Sequence, residues 1–205
     1  MTAVTLPPIT SLDDVFLATF CILDDLYREL VPPAIRQRPR YERIEMSDAE
    51  VLTLSVVQEA LSMDSEASFL RYVRREHGHL FPRLLSRDRY SRRRRALTGV
   101  ALTLFRRLAD AFEDRARWLV VDSAPVETAA FVRSQSAGVS MPEAAYGYIP
   151  SKKRFFFGFR LHLVVTDEGA ISDFALCPAG VDERTVAREV LRRFEGRDVL
   201  ADNGY

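Results

Sequence analysis

Two aspartates follow short apolar runs, in positions where carboxylates could bind a metal. Asp122 follows the apolar residues 118–121, and Asp202 follows residues 199–201. Each run predicts a short buried strand, and we expect Pro125 to end the first strand. If the strands are parallel neighbours, both carboxylates emerge at the sheet edge where ligands bind. Paired carboxylates repel unless a cation bridges them, and Mg²⁺ prefers oxygen ligands. The alternative is that each aspartate only caps a junction between strand and loop.

The elements before these strands are predicted to be helices. Ser11, with acids in the next turn, begins an apolar pattern of helical spacing that Pro32 ends. Ser47 and Glu50 form a capping box before a second helix. Further helices are predicted over about residues 65–77 and 88–115. Residues 1–115 therefore read as an all-α N-terminal domain, for which we expect DNA binding.

The pattern changes at Arg117, where strand signals replace helical ones. We predict a strand over 118–121, a long loop over 123–152, and a β-hairpin of strands 154–165 and 170–177 around an acidic turn. A helix over 181–194 and a strand over 199–201 follow. The chain is thus α+β overall, with an α/β domain over residues 116–205.

Four motifs in the second part occur in the order of a known family. They are Val120–Ser123, Phe155–His162, Cys177–Asp182 and Ala201–Tyr205. From Trp118 onward the chain resembles the catalytic domain of DDE transposases of bacterial insertion sequences. The most similar group is the insertion-sequence family numbered 982, related to the transposase domain of the family numbered 4.

The resemblance implies a ribonuclease H-like fold in which Asp122 and Asp202 are the first two catalytic acids. They would bind Mg²⁺ or Mn²⁺, two ions in the intact family site. The family's third acid is a glutamate downstream of Asp202, so we expect this chain to be truncated, with an incomplete catalytic domain and defective activity. Glu183 and Glu189 precede Asp202 in the sequence, so neither is expected to take the role of the third acid.

The implied partner is double-stranded DNA, at the terminal inverted repeats of the element and at the target. The net charge is zero, but the arginines are concentrated in one segment. We expect phosphate contacts from Arg92, Arg93, Arg94 and Arg95, or else a solvated helix face. A second basic group, Lys152, Lys153 and Arg154, precedes three phenylalanines that could stack on bases or fill the core.

Two other residues have open roles. His162 either packs within its strand or supports the site, and Asp182 either caps a helix or takes part in catalysis.

Three functions remain open: a transposase, a DNA-binding fragment that represses transposition, and another ribonuclease H-like nuclease. Whether the protein forms a homodimer is also left open. No apolar run is long enough to span a bilayer, and the N-terminus lacks a signal peptide. A bacterial cytoplasm, at the nucleoid, is expected.

Overall fold

The computed structural model describes residues 9–36, 45–129 and 143–201. The chain divides into two compact units, Met1–Phe105 and Arg106–Tyr205. Helices form the regular structure in the described part of the first unit, whereas the second holds a mixed sheet with helices. The α+β class is therefore confirmed.

The first unit is a set of helices with one apolar core. The helices are α1 (Leu12–Leu30), α2 (Pro33–Arg36), α3 (Asp48–Ala60), α4 (Glu66–Glu76), α5 (Arg87–Ala96) and α6 (Thr98–Glu113), which continues into the second unit. Both predicted N-terminal caps are present. Ser11 caps α1 with Asp14, and Ser47 caps α3 with Glu50, each as a reciprocal capping box. The core includes the fully buried Leu54, Phe69 and Tyr90.

The single helix predicted over 88–115 is wrong, because the helix breaks at Leu97. α5 ends at Ala96 and α6 begins at Thr98. The Thr98 hydroxyl donates to the Arg95 carbonyl at 2.9 Å, which offers that carbonyl an alternative to the helical bond. Gly99 follows, and glycine lowers helix propensity further.

The described part of the second unit contains a five-stranded sheet. Its strands are β1 (Leu119–Ala129), β2 (Ala145–Ile149), β3 (Arg154–Thr166), β4 (Ile171–Pro178) and β5 (Val199–Ala201). β3 pairs antiparallel with β1 along one edge and with β2 and then β4 along the other. β1 pairs in parallel with β5. The predicted hairpin is present as β3 and β4.

Two predictions about the region after Asp122 are wrong. β1 continues through Pro125 to Ala129, and β2 lies within the predicted loop over 123–152, of which residues 130–142 are not described. Pro125 pairs with Arg160 in β3, while the described part of β5 pairs only with Leu119–Val121. The other edge of β1 is therefore unpaired at Pro125 among the described residues, and the missing N–H of proline is tolerated at such an edge.

The two faces of this sheet differ in what covers them. α7 (Glu183–Leu191) and a following 3₁₀ turn (Arg192–Phe194) pack on one face, here called the covered face, against Val121 and Val164. The opposite face, here called the open face, carries apolar side chains that remain exposed, among them Phe174, Leu176 and Leu200. Because side chains alternate along a strand, each residue of β1 belongs to one face or the other.

Candidate active site and nucleic-acid contacts

Asp122 lies on the open face of the sheet, beside the described end of β5. The parallel register pairs Val121 with Ala201, and Val121 points into the core of the covered face. The next side chain, Asp122, points the other way and is exposed. Its Oδ1 accepts a hydrogen bond from the Ser123 backbone N–H at 2.7 Å. The carboxylate keeps further lone pairs for another ligand.

Asp202 follows Ala201 in the sequence and lies outside the described residues. Its predicted role required that the two strands be parallel neighbours, and β1 and β5 are. Within residues 9–36, 45–129 and 143–201, no group of three or more His, Cys, Asp or Glu side chains could hold a metal ion. The catalytic and metal-binding roles of Asp122 and Asp202 stay predictions.

A polar cluster on the covered face was missed by sequence reasoning. Arg160 Nη1 lies 2.6 Å from Glu183 Oε1, and the Ser123 hydroxyl donates to Glu183 Oε2 at 3.0 Å. Arg160 Nη2 donates to the Tyr148 carbonyl at 3.0 Å. The cluster therefore ties α7 to β1, β2 and β3. These residues are distant in the chain, and the only early signal was the arginine in the strand predicted over 154–165.

The cluster does not share a face with Asp122. Glu183 is occupied by Arg160 and Ser123 on the covered face, whereas the Asp122 side chain emerges on the open face. The geometry agrees with the expectation that Glu183 is not the third acid. Ser123 links the two sites, because it donates its backbone N–H to Asp122 and its hydroxyl to Glu183.

His162 is fully buried on the covered face. It lies opposite Ser123 in β1 and Ala175 in β4. Burial lowers the pKa of the imidazole, and nearby Glu183 opposes this shift while Arg160 adds to it. A buried, neutral imidazole fits a packing role in the strand. A supporting role in the site stays a prediction.

Asp182 caps α7. Its Oδ1 accepts a hydrogen bond from the Thr185 backbone N–H at 3.1 Å, and its backbone is extended as an N-cap requires. The capping interpretation of Asp182 explains its position. A catalytic contribution from Asp182 stays a prediction.

The arginines of α5 are largely engaged within the first unit. Arg93 pairs with Asp48 at 2.5 Å, and their side chains are 20% and 3% exposed. Arg94 pairs with Glu59 and also lies 3.6 Å from Glu66. Arg92 and Arg95 are exposed and donate to carbonyls of their own helix. DNA contact by these four residues stays a prediction, and the geometry favours Arg92 and Arg95.

The second predicted basic group also contains one residue that is paired with an acid and others that are exposed. Arg154 donates from Nη1 to Glu127 Oε2 at 3.0 Å and pairs with Oε1 through Nη2. Lys152 and Lys153 are exposed. Of the neighbouring phenylalanines, Phe156 is buried whereas Phe155 is 59% exposed. DNA contact by Lys152, Lys153 and Arg154 also stays a prediction.

Comparison with known proteins gives one match, and it covers most of the second unit. Residues 114–205 match the family model described as the transposase DDE domain, which supports a DDE transposase as the class of this protein. Comparison with curated proteins and with solved structures gives no match. A transposase DDE domain fits a ribonuclease H-like fold and implies DNA as partner and divalent ions, generally Mg²⁺ or Mn²⁺.

The described helices include none that is both long and apolar enough to cross a bilayer.

Proposed function

We propose that the second unit is the catalytic domain of an insertion-sequence transposase with a ribonuclease H-like fold. Its reaction would cut DNA at terminal inverted repeats and join the 3′ hydroxyl to target DNA. One observation carries this proposal: β1 and β5 run parallel with Val121 opposite Ala201, and Asp122 and Asp202 are the residues that follow these two in the sequence. The four motifs favour the insertion-sequence family numbered 982.

Asp122 and Asp202 would hold the divalent ions. The Asp122 carboxylate fits this role because it is exposed on the open face and accepts only one hydrogen bond among the described residues, from the Ser123 N–H. Carboxylate oxygens are ligands that Mg²⁺ prefers. Bound ions would supply Lewis-acid stabilisation of the phosphodiester and activation of the attacking oxygen.

The residues of the chain contribute orientation and access. The Ser123 N–H fixes one oxygen of Asp122, and the hydroxyl of the same serine anchors β1 to Glu183. The exposed open face leaves room for a phosphodiester beside Asp122.

The test is a titration with Mn²⁺ followed by electron paramagnetic resonance. The wild-type chain should bind Mn²⁺, and Asp122→Asn should weaken binding by at least about tenfold because a charged first ligand is lost. Asp173→Asn serves as a matched control, since Asp173 lies in β4 within the same sheet. Equal binding by the wild type and Asp122→Asn would contradict the metal assignment.

The activity is tested separately with a labelled duplex that ends in a 3′ hydroxyl and a supercoiled plasmid. Joined products that require Mg²⁺ or Mn²⁺ and disappear in Asp122→Asn would support the transposase. Binding to DNA without cleavage or joining under any of these conditions would favour the repressor. Cleavage without joining would favour a nuclease.

A further inference from the structure

Three arginines lie at helical spacing on the solvent side of α7 and of the 3₁₀ turn that follows it. They are Arg184, Arg188 and Arg192, each four residues from the next. All three are exposed, and none makes an ion pair or a side-chain hydrogen bond within the described part of the chain. With a rise of about 1.5 Å per residue, neighbours in this row lie about 6 Å apart along the helix. The row is therefore a line of unneutralised positive charge.

The row borders an open depression of about 570 Å³. Its lining consists of Arg184, Ala187, Arg188, Leu191, Arg192 and Glu195. Glu195 is the one acid in this lining, so positive charge outweighs negative charge there. The core side of the same helix is filled by Val186, Val190 and Phe194, and the arginines do not take part in that packing.

Three other arginines of this unit, in contrast, are paired with acids. Arg193 pairs with Asp110 and with Glu113. Arg117 pairs with Asp167 at 2.9 Å, and Arg160 pairs with Glu183 at 2.6 Å. Acids therefore accompany these three arginines, whereas the row has no ion pair among the described residues.

We propose that Arg184, Arg188 and Arg192 bind the phosphate backbone of duplex DNA. This inference rests on the proposed function, which supplies DNA as the partner. A row of evenly spaced guanidinium groups on one helix face complements a line of phosphates, and phosphate contacts position a duplex without reading its sequence. An acidic protein surface would also attract the row, but it would lack the regular line of charge.

The row and Asp122 lie on opposite sides of the sheet. α7 packs on the covered face, whereas Asp122 emerges on the open face. Duplex DNA is stiff over about 150 base pairs, so wrapping one short duplex around both faces would require strong bending at a cost in free energy. The row therefore holds a segment of DNA other than the one whose phosphodiester lies at Asp122.

The experiment measures binding of a short fluorescent duplex of arbitrary sequence to the full chain at a series of salt concentrations. Each lost phosphate contact lowers the slope of log K against log salt by about 0.9. The variant with Arg184→Ala, Arg188→Ala and Arg192→Ala should therefore show a slope smaller by about 3. The matched variant with lysine at all three positions should keep most of the slope because it keeps the charge.

The outcomes separate this inference from the proposed function. If the wild type has a steep slope and the alanine variant has the same slope, the three arginines do not bind phosphates, but the proposed transposase function is unaffected. A lysine variant that binds as weakly as the alanine variant would overturn the charge argument. A wild type without salt-dependent duplex binding would count against both. Polyglutamate that binds the wild type as tightly as the duplex, and is lost in the alanine variant, would show an acidic protein site instead.

Discussion

The arginines of α5 and those of α7 look alike in kind but differ in what surrounds them. On α5 two of four consecutive arginines, Arg93 and Arg94, are paired with acids of α3 and α4. On α7 the three arginines of the solvent row have no such partners among the described residues. A run of consecutive arginines covers all sides of a helix, whereas a spacing of four keeps one side. Local density in the sequence is thus a poor guide to whether arginines remain without acidic partners.

The largest effect expected from this contrast is at Arg93. Arg93→Met leaves the Asp48 carboxylate buried without its guanidinium partner, while the Tyr27 hydroxyl still donates to Asp48 Oδ2 at 2.7 Å. Breaking a buried pair in this way costs about 3–5 kcal/mol of unfolding free energy. Urea denaturation followed by circular dichroism measures this loss.

Two controls sharpen the Arg93 prediction. Adding Asp48→Asn to Arg93→Met should recover much of the lost stability, because the amide removes the buried charge and still accepts from Tyr27. Arg92→Met should change the free energy of unfolding by less than about 0.5 kcal/mol, as expected for an exposed side chain. If Arg93→Met were as mild as Arg92→Met, the two arginines would not differ as described.

Arg94 should show an intermediate effect. It lies between Glu59 of α3 and Glu66 of α4, with its own side chain 32% exposed and that of Glu59 70% exposed. Exposed pairs contribute about 0–1 kcal/mol and are screened by salt. Arg94→Met should therefore cost about 1 kcal/mol at low salt, and less at high salt. A loss that does not shrink with salt would show that Arg94 acts by packing.

The outline of the second unit was accessible from sequence, but the details around Asp122 were not. The apolar runs before Asp122 and Asp202 predicted two short strands but left their pairing as a condition, and β1 and β5 are parallel neighbours. Pro125 misled the prediction because a sequence does not show which edge of a strand lacks a partner. The contact of Ser123 with Glu183 was hidden for a related reason, since it depends on how α7 packs on the sheet.

The arginines show the same limit. The dense run on α5 predicted phosphate contacts, but the acids that pair with Arg93 and Arg94 lie on another helix and are identified only in the folded structure. The row on α7 is interrupted in sequence by apolar and acidic residues. Its significance depends on two facts that a sequence does not contain: which side of α7 is buried, and where acids are missing.

Asp13 of the first unit is in contact with two histidines. His77 Nδ1 lies 2.6 Å from Asp13 Oδ1, and His79 Nε2 lies 2.9 Å from Oδ2. The hydrogen bond to His77 is the main cause that lowers the pKa of Asp13, and that to His79 adds to it. Because its pKa is lowered on folding, the Asp13 carboxyl stabilises the fold at pH values above its ordinary pKa. This stabilisation is lost as the pH falls through the pKa of the folded state.

The Asp13 pKa can be followed by carbon-13 NMR during an acid titration. In the wild type it should lie below the ordinary value of 3.8. His77→Gln should raise it more than His79→Gln, because the bond to His77 makes the larger contribution. Equal shifts in the two variants would show that the histidines act only through their charge.

The smallest effect on stability is expected on α7. Arg184, Arg188 and Arg192 are exposed and lack ion pairs within the described part of the chain, so each change to alanine should alter the free energy of unfolding by less than about 0.5 kcal/mol. Alanine also has the highest helix propensity, which offsets any lost contact with the helix surface. Urea denaturation of each single variant, measured in parallel with Arg93→Met, compares their losses in the free energy of unfolding. A loss at Arg188 as large as that at Arg93 would mean that the row serves the fold, and a change in DNA binding could then no longer be assigned to phosphate contact.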